Sequence, residues 1–490
     1  MENHDEAYYI WREAGVRDKV LVHVDAHHDM WWVKDKALVT IANFICPALR
    51  EGLVREVYWV VPDATWESAA TRAPVLRHLK AIVKGFSEAG ASQMTGMKNG
   101  RLTATVLGKP ITVCPLSLLP QIGEDVLLDI DTDYLLIPRV AYGERDEHGA
   151  LPWLWPAELL ERLMAASVRS NLATVVYSVE GSYTPLKWKY LGDELAARLR
   201  QSHSSDIRGT ETVNCGACAE ERGDIAGAEK SYLEAASLLP DSAAPLFRMA
   251  WLYAASGRAD EGRELYQRTV ERDPSYRTAY SSLGFHYYDK KQFAESEREH
   301  LHMLALAPEN AHACFGLAQL AVRKKRWPEA ESLLRRSLAA DNTLVDAHRE
   351  LAEILARQHQ YNEAIQSYEL SMKLALVGHQ PMSNLFVTNH EPHRLLDPWH
   401  SWTHARLARL YALTGAIPKA VTAYRIGIGT GCDGVVIRFQ LAWLYLRQRL
   451  GGKAAVQVLS AIQQIPVSVW KSSQRGWYRL MRSARKVWPS

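Results

Sequence analysis

The stretch LVHVDAHHDMWW, Leu21 to Trp32, sets His23, His27 and His28 among Asp25 and Asp29 in one short run. A second acidic run, DIDTDYL, places Asp129, Asp131 and Asp133 at alternate positions. Carboxylates gathered this closely repel one another once withdrawn from water, and a buried unpaired carboxylate is costly. A pair of divalent cations relieves both problems. Hard carboxylate oxygens mixed with one or two imidazoles suit manganese, and carboxylates able to bridge suit two ions side by side. The alternative is that these acids cap helices or meet solvent, with no metal at all.

Such residues need rigid elements to hold them. In the first two hundred residues, KVLVHV (Lys19 to Val24), EVYWVV (Glu56 to Val61), DVLLDI (Asp125 to Ile130) and ATVVYSV (Ala173 to Val179) alternate with helical segments. Several of these runs are apolar on both faces, which predicts strands buried between helix layers in a mainly parallel sheet. Ligand chemistry in such sheets collects at the carboxyl ends of strands, and both acidic runs sit at such ends. The polar, serine-rich stretch RQSHSSDIRGTET (Arg200 to Thr212) reads as a domain boundary.

Beyond it the chain repeats itself. Pro240, Pro274 and Pro308 recur every 34 residues, with Asn342 in the next place. That period is the signature of the tetratricopeptide repeat. A small residue recurs in the first helix of each unit as Gly216, Ala250, Gly284, Ala318 and Ala352. In the second helix Ala228, Ala330 and Ala364 recur, with Tyr232, Tyr266 and Tyr368 on the next turn. Small residues let helices approach, and the aromatic fills the adjoining groove. The phase returns at Leu407, Ala408, Tyr411, Gly415, Ala420 and Tyr424, and again at Leu441, Ala442, Tyr445 and Ala454, giving about seven repeats.

The expected layout is an α/β domain over 1–203, a linker over 204–212, repeats over 213–469 with an insertion near 377–400, and a C-terminal capping helix over 470–490. The insertion holds His379, His390, His393 and His400 without helical ligand spacing, so it reads as a loop along the solenoid groove. Cys215 and Cys218 form a CxxC pair inside a repeat, with no second pair to complete a zinc site, and read as packing residues.

DAHHD resembles the DAHxD metal motif of the arginase and agmatinase ureohydrolases, and LDIDTD resembles their second metal motif. The resemblance implies a three-layer α/β arginase-like domain holding two manganese ions. One ion would be held by His4, Asp25, Asp29 and Asp131, the other by Asp25, His27, Asp131 and Asp133. With NHDEAYYIW, HVDAHHDMWW, ANFICPALREGLVREVYWVVPD and DIDTDYL, the first 197 residues look most like the arginase-like domains of the peptide arginase family. That family implies hydrolysis of arginine side chains in a ribosomally made peptide to ornithine and urea. Metals lower the pKa of bound water and so supply the nucleophile. Glu180, in SVEGSYTP, is the candidate carboxylate for the guanidinium. Where arginases place a proton-transfer histidine this chain has Asn43, and His28 and His148 are the other candidates for that task. Asp129 is expected to orient a ligand. Trp31 and Trp32 could stack on a guanidinium or a peptide.

A net charge of +3 offers no global attraction to nucleic acid or membrane, although Lys471 to Lys486 is a locally basic tail. No apolar run reaches the roughly twenty residues needed to span a bilayer, and MENHDEAYY is unlike a signal peptide. Six cysteines are too few for a disulfide framework, in keeping with a reducing cytoplasm. The expected partners are an arginine-containing precursor peptide and modifying enzymes docked on the repeats. Two further readings stand beside this one: a metallohydrolase of a small guanidino or acylated amine substrate, and a repeat scaffold without catalysis.

Overall fold

The computed structural model describes the chain apart from residues 33–38, 87–91, 143–146, 180–182, 201–203, 278–281, 377–397, 430–431 and 465–490. Glu180, His379, His390, His393 and the expected capping helix at 470–490 therefore lie outside the described residues. Two compact units result, one of Met1–Ala340 and one beginning at Asp341.

The first unit opens with α1 (Glu6–Glu13), β1 (Lys19–Val24), α2 (Ile45–Arg50), β2 (Val54–Val61) and α3 (Ala69–Gly85). A hairpin pair follows as β3 (Gln93–Lys98), β4 (Arg101–Val106) and β5 (Lys109–Pro115), then β6 (Asp125–Asp131), α4 (Pro156–Ala165), β7 (Arg169–Val176) and α5 (Tyr190–Leu199). The seven strands form one mixed sheet in the order β3-β4-β5-β2-β1-β6-β7. From β5 to β7 every neighbouring pair is parallel, whereas β3–β4 and β4–β5 are antiparallel. The two tight turns of that edge use Asn99–Gly100 and Leu107–Gly108, all four with positive φ, as hairpin geometry demands.

Strand residues divide by parity between two cores. Val20, Val22 and Val24 of β1 join Leu128 and Ile130 of β6 in one core with α4 and α5. Leu21 and Leu127 face the other way, into a core with Trp11, Phe44, Ile45, Val75 and Leu79. His23 and Asp129 share the parity of this second face, so the polar residues emerge from a wall otherwise made of aliphatic and aromatic side chains.

Seven helix pairs follow among the described residues. The first unit holds α6 (Ser204–Glu221) with α7 (Ile225–Leu238), α8 (Ala244–Ala255) with α9 (Ala259–Arg272), α10 (Ser282–Asp289) with α11 (Phe293–Leu306), and α12 (Ala311–Arg323) with α13 (Trp327–Ala340). The second holds α14 (Val345–Arg357) with α15 (Tyr361–Leu376), α16 (Pro398–Leu413) with α17 (Ile417–Gly429), and α18 (Val435–Arg447) with α19 (Gly451–Gln463). Close approach follows the repeat logic. A Cβ added to Gly216 would meet the Tyr232 ring at 2.4 Å, and one added to Gly284 would meet the His300 ring at the same distance. His300 occupies the place that Tyr232, Tyr266 and Tyr368 hold in other repeats.

Three expectations are corrected here. The segment 204–212 is not a linker: it is the first half of α6, because one face is buried, with Gly209 against Leu239, Thr210 covered and Val213 fully enclosed. The insertion expected to reach residue 400 ends earlier, since α16 starts at Pro398, where a missing N–H leaves no helical bond unmade. The repeats are also joined to the sheet domain by a shared core running from Leu191 and Leu195 of α5 through Val213 and Tyr232 to Phe247. Arg248, buried, lies over the Trp188 ring at 4.9 Å and binds Glu220 at 2.7 Å. Of the CxxC pair, Cys215 is exposed instead of packed.

Candidate metal centre

β1, β6 and β7 are adjacent parallel strands, so their carboxyl ends open side by side. Asp25 follows β1, Asp131 ends β6, and Ser178 follows β7. The turns after the strands are built by the acids themselves. Asp25 Oδ1 accepts the His27 N–H at 2.7 Å and Asp131 Oδ1 accepts the Asp133 N–H at 3.0 Å, which leaves the second oxygen of each acid directed elsewhere. Asp29 and Ser178 hold positive φ values of 47° and 53°. Such conformations cost on the order of 1 kcal/mol or more and persist where the surroundings require them.

Six residues expected as metal ligands come together. His4, just ahead of α1, sets Nδ1 3.3 Å from Asp25 Oδ2, 3.0 Å from Asp29 Oδ2 and 3.3 Å from Asp131 Oδ2. His27 Nδ1 lies 3.3 Å from Asp25 Oδ1 and 3.2 Å from Asp133 Oδ2. Two ligand sets of metal-binding dimensions result from these six, His4 with Asp25 and Asp29, and Asp25 with His27 and Asp133, which share Asp25; His4 with His23 and Asp129 forms a third among the described residues. Asp25 is fully buried, and its Oδ2 has no hydrogen-bond partner. Burial, then repulsion from Asp133, Asp29 and Asp131, pushes its carboxyl well above the usual range. An acid so placed is what a cation would stabilise, so the donor set fits a pair of hard divalent ions.

Asp129, expected to orient a ligand, belongs to a further layer whose other members the sequence motifs did not single out. His23 sits beside Asp129 in the register of β1 and β6. Asp129 Oδ2 lies 2.8 Å from both His23 Nδ1 and His4 Nε2, and Asp129 Oδ1 accepts from the Thr174 hydroxyl on β7. Burial works against the Asp129 charge, but His4 and His23 together hold its pKa far below the carboxylate range. On His4 burial opposes the proton, yet Asp129, Asp131 and Asp29 outweigh it and raise the pKa well above the imidazole value. The Ser178 hydroxyl donates to Asp131 Oδ2 at 2.6 Å. His23 was legible in principle, two residues before Asp25 on the same strand face; Thr174 and Ser178 belong to no motif.

The site opens into a cavity of ≈ 160 Å³ whose rim includes Asn3, Trp31, His78 and Tyr183. Tyr183 sets its ring edge-on to His27 at 5.0 Å. His28 lines the cavity but is held by others: its Nδ1 accepts the Met30 N–H at 3.0 Å, and its ring packs on Trp31, Trp59 and His78. Burial and the neighbouring histidines keep it neutral. Asn43 departs from its expected catalytic place: it is buried, its Oδ1 accepts the Thr40 N–H at 2.7 Å, and it does not line the cavity. It braces the turn that sets Phe44 against the His4 ring at 4.6 Å. Of the two tryptophans Trp31 reaches the rim, whereas Trp32 packs over Gly85.

Tetratricopeptide-repeat family models match residues 219–283, 300–345 and 315–373. The helical part of the chain is a tetratricopeptide-repeat array. Its likenesses among solved structures include MamA, with 16% identity, 37% of this chain and 93% of that chain covered and a TM-score of 0.30. PilF of Pseudomonas aeruginosa is similar at 18% identity, with 48% and 96% covered and a TM-score of 0.27. YrrB, described as a repeat protein with an unusual peptide-binding site, is similar at 18% identity, with 44% and 97% covered and a TM-score of 0.26. Comparison with curated proteins gives no match. Among the described residues no helix is long and apolar enough to cross a membrane.

Proposed function

We propose that the sheet domain is an arginase-like, two-manganese hydrolase acting on arginine side chains within a peptide, releasing urea and leaving ornithine, in a cytoplasmic setting. The observation that carries the reading is that two groups of acid and imidazole side chains of metal-binding dimensions, His4 with Asp25 and Asp29 and Asp25 with His27 and Asp133, share Asp25, whose Oδ2 is buried and unbonded. His4, Asp25, Asp29 and Asp131 would hold one cation, and Asp25, His27, Asp131 and Asp133 the other. Bound cations would supply a nucleophilic oxygen at neutral pH by lowering the pKa of water.

The chain's own residues do the positioning. Asp129 fixes the ring orientation of His4 and His23, and Ser178 fixes Asp131. Trp31 and Tyr183 frame an opening sized for the end of a side chain. Glu180 is our assignment for the carboxylate that grips the guanidinium, whose fork of donors matches two carboxylate oxygens. Neutral His28 beside the cavity is the proton carrier we retain; Asn43 is withdrawn from that role.

The repeats supply what a small-molecule hydrolase does not need, a surface for an extended chain or a partner enzyme. The test is urea release from an arginine-containing peptide by wild-type protein and by Asp131→Asn. Turnover by the wild type that vanishes in a folded Asp131→Asn protein supports the reading; equal urea release from both refutes it.

A further inference from the structure

A second cavity, ≈ 770 Å³, lies within the first unit between loops of the sheet domain and the first and third helix pairs. Sites that engulf most of a ligand span about 300–1,000 Å³. The larger cleft falls in that range and the metal cavity does not. The two are neighbours through one segment. Tyr183 lines the metal cavity, its carbonyl accepts a hydrogen bond from His148, and His148, Pro185, Lys187 and Trp188 line the cleft.

The cleft presents one incomplete charge from each side. Lys187, from the sheet domain, has no ion pair among the described residues, and its ammonium lies 5.6 Å from the Trp188 ring centre. Burial, aided by Arg248, pushes its pKa below the lysine value, against the pull of Glu220, Glu299 and Glu221. Glu299, on α11, has a side chain 13% exposed, and its Oε2 is buried with no hydrogen-bond partner. Its other oxygen is 3.8 Å from Arg298 Nε. Burial raises its carboxyl pKa, with Lys187 pulling the other way. Buried charges are ordinarily completed by partners. An occupant that offers an acceptor to Lys187 and a donor to Glu299 completes both at once.

A peptide main chain carries a carbonyl and an N–H at every residue, repeating about every 3.3–3.6 Å when extended. The walls add the flat rings of Trp188 and Tyr287, and the acids Glu147, Glu221 and Glu299 stand against the bases Lys187, Lys290 and Arg298, a balanced charge that suits a neutral main chain better than a phosphate backbone. We propose that this cleft binds the main chain of an extended polar peptide whose arginine side chain enters the metal cavity, with Lys187 donating to a peptide carbonyl and Glu299 accepting from a peptide N–H.

The inference rests on the peptide-hydrolase reading for the identity of the occupant, and its test separates the two. Full-length protein would be incubated with an arginine-centred peptide library of randomised flanks, and captured peptides quantified by mass spectrometry. The variants are Lys187→Met, Glu299→Gln and, as a metal-site comparison, Asp131→Asn. Glu299→Gln keeps the shape of the side chain, and thermal melting checks that each variant is folded. The expected result is enrichment by wild type, reduced at least tenfold in Lys187→Met and Glu299→Gln. Undiminished enrichment in both cleft variants, or no enrichment by wild type, would overturn the proposal. Urea release that ignores both cleft substitutions would keep the hydrolase and reject the cleft; capture without urea release would do the reverse.

Discussion

One oxygen of Asp129, Oδ2, lies 2.8 Å from His23 on the neighbouring strand and 2.8 Å from His4, 125 positions away in sequence. This single buried acid aims His4 Nδ1 and His23 Nε2 at the same oxygen of Asp25, 3.3 and 3.4 Å away. Removing its charge should therefore weaken metal binding without removing a ligand. Asp129→Asn is expected to lower manganese affinity about 10–100-fold, the usual effect of losing an orienting partner. Competition titration against a chelating dye would measure it, and unchanged affinity would count against the role.

Metal should also report on stability. Asp25 is forced upward by burial and by three other acids, so the metal-free fold carries repulsion that a cation removes. At a manganese concentration a thousandfold above Kd the stabilisation should approach about 4 kcal/mol. Melting curves with and without manganese would show it, and Asp25→Asn should abolish most of the shift. A melting temperature indifferent to divalent ions would contradict the site.

The repeats predict an acid sensitivity of their own. Burial, aided by His312, lowers the His300 pKa from 6.5 to about 3. The unfolded chain then binds the extra proton first, so stability is complete above the unfolded pKa and is lost as pH falls from about 6.5 toward 3. Between pH 7 and 4.5 the loss should be on the order of 2–3 kcal/mol. His300→Leu, which installs the residue that Leu334 provides one repeat later, should flatten that slope in denaturant titrations. An unchanged slope would assign the acid sensitivity elsewhere.

Arg248 joins the repeats to the sheet domain through Glu220, Tyr232 and the Lys187 carbonyl. Arg248→Met leaves Glu220 without its buried partner and should destabilise the first unit by about 3 kcal/mol. Limited proteolysis should then cut near the start of α6. Resistance equal to wild type would show that the shared apolar core alone holds the parts together.

Much of this was legible because it is periodic or chemically expensive. The 34-residue phase gave the helix pairs, and the doubly apolar runs gave β1, β2, β6 and β7. The acids after β1 and β6 stood out because such crowding has few physical solutions. The hairpin edge went unread although Asn99–Gly100 is a turn signal, since β3 to β5 are short and partly polar. His23 and Asp129 act together only because β1 and β6 are neighbours in register, a relation no local pattern contains. The linker expectation fails because a serine-rich composition does not reveal the small and apolar face of Gly209 and Val213, which tertiary packing against Leu239 rewards.

The most direct test of the central claim is mass spectrometry of an arginine-containing peptide, ideally one encoded beside this protein's gene, after incubation with the manganese-loaded full-length chain. Hydrolysis to ornithine predicts a loss of about 42 daltons for each arginine processed, with urea appearing in equal amount. An unchanged peptide mass, with metal occupancy confirmed, would contradict the peptide arginase assignment.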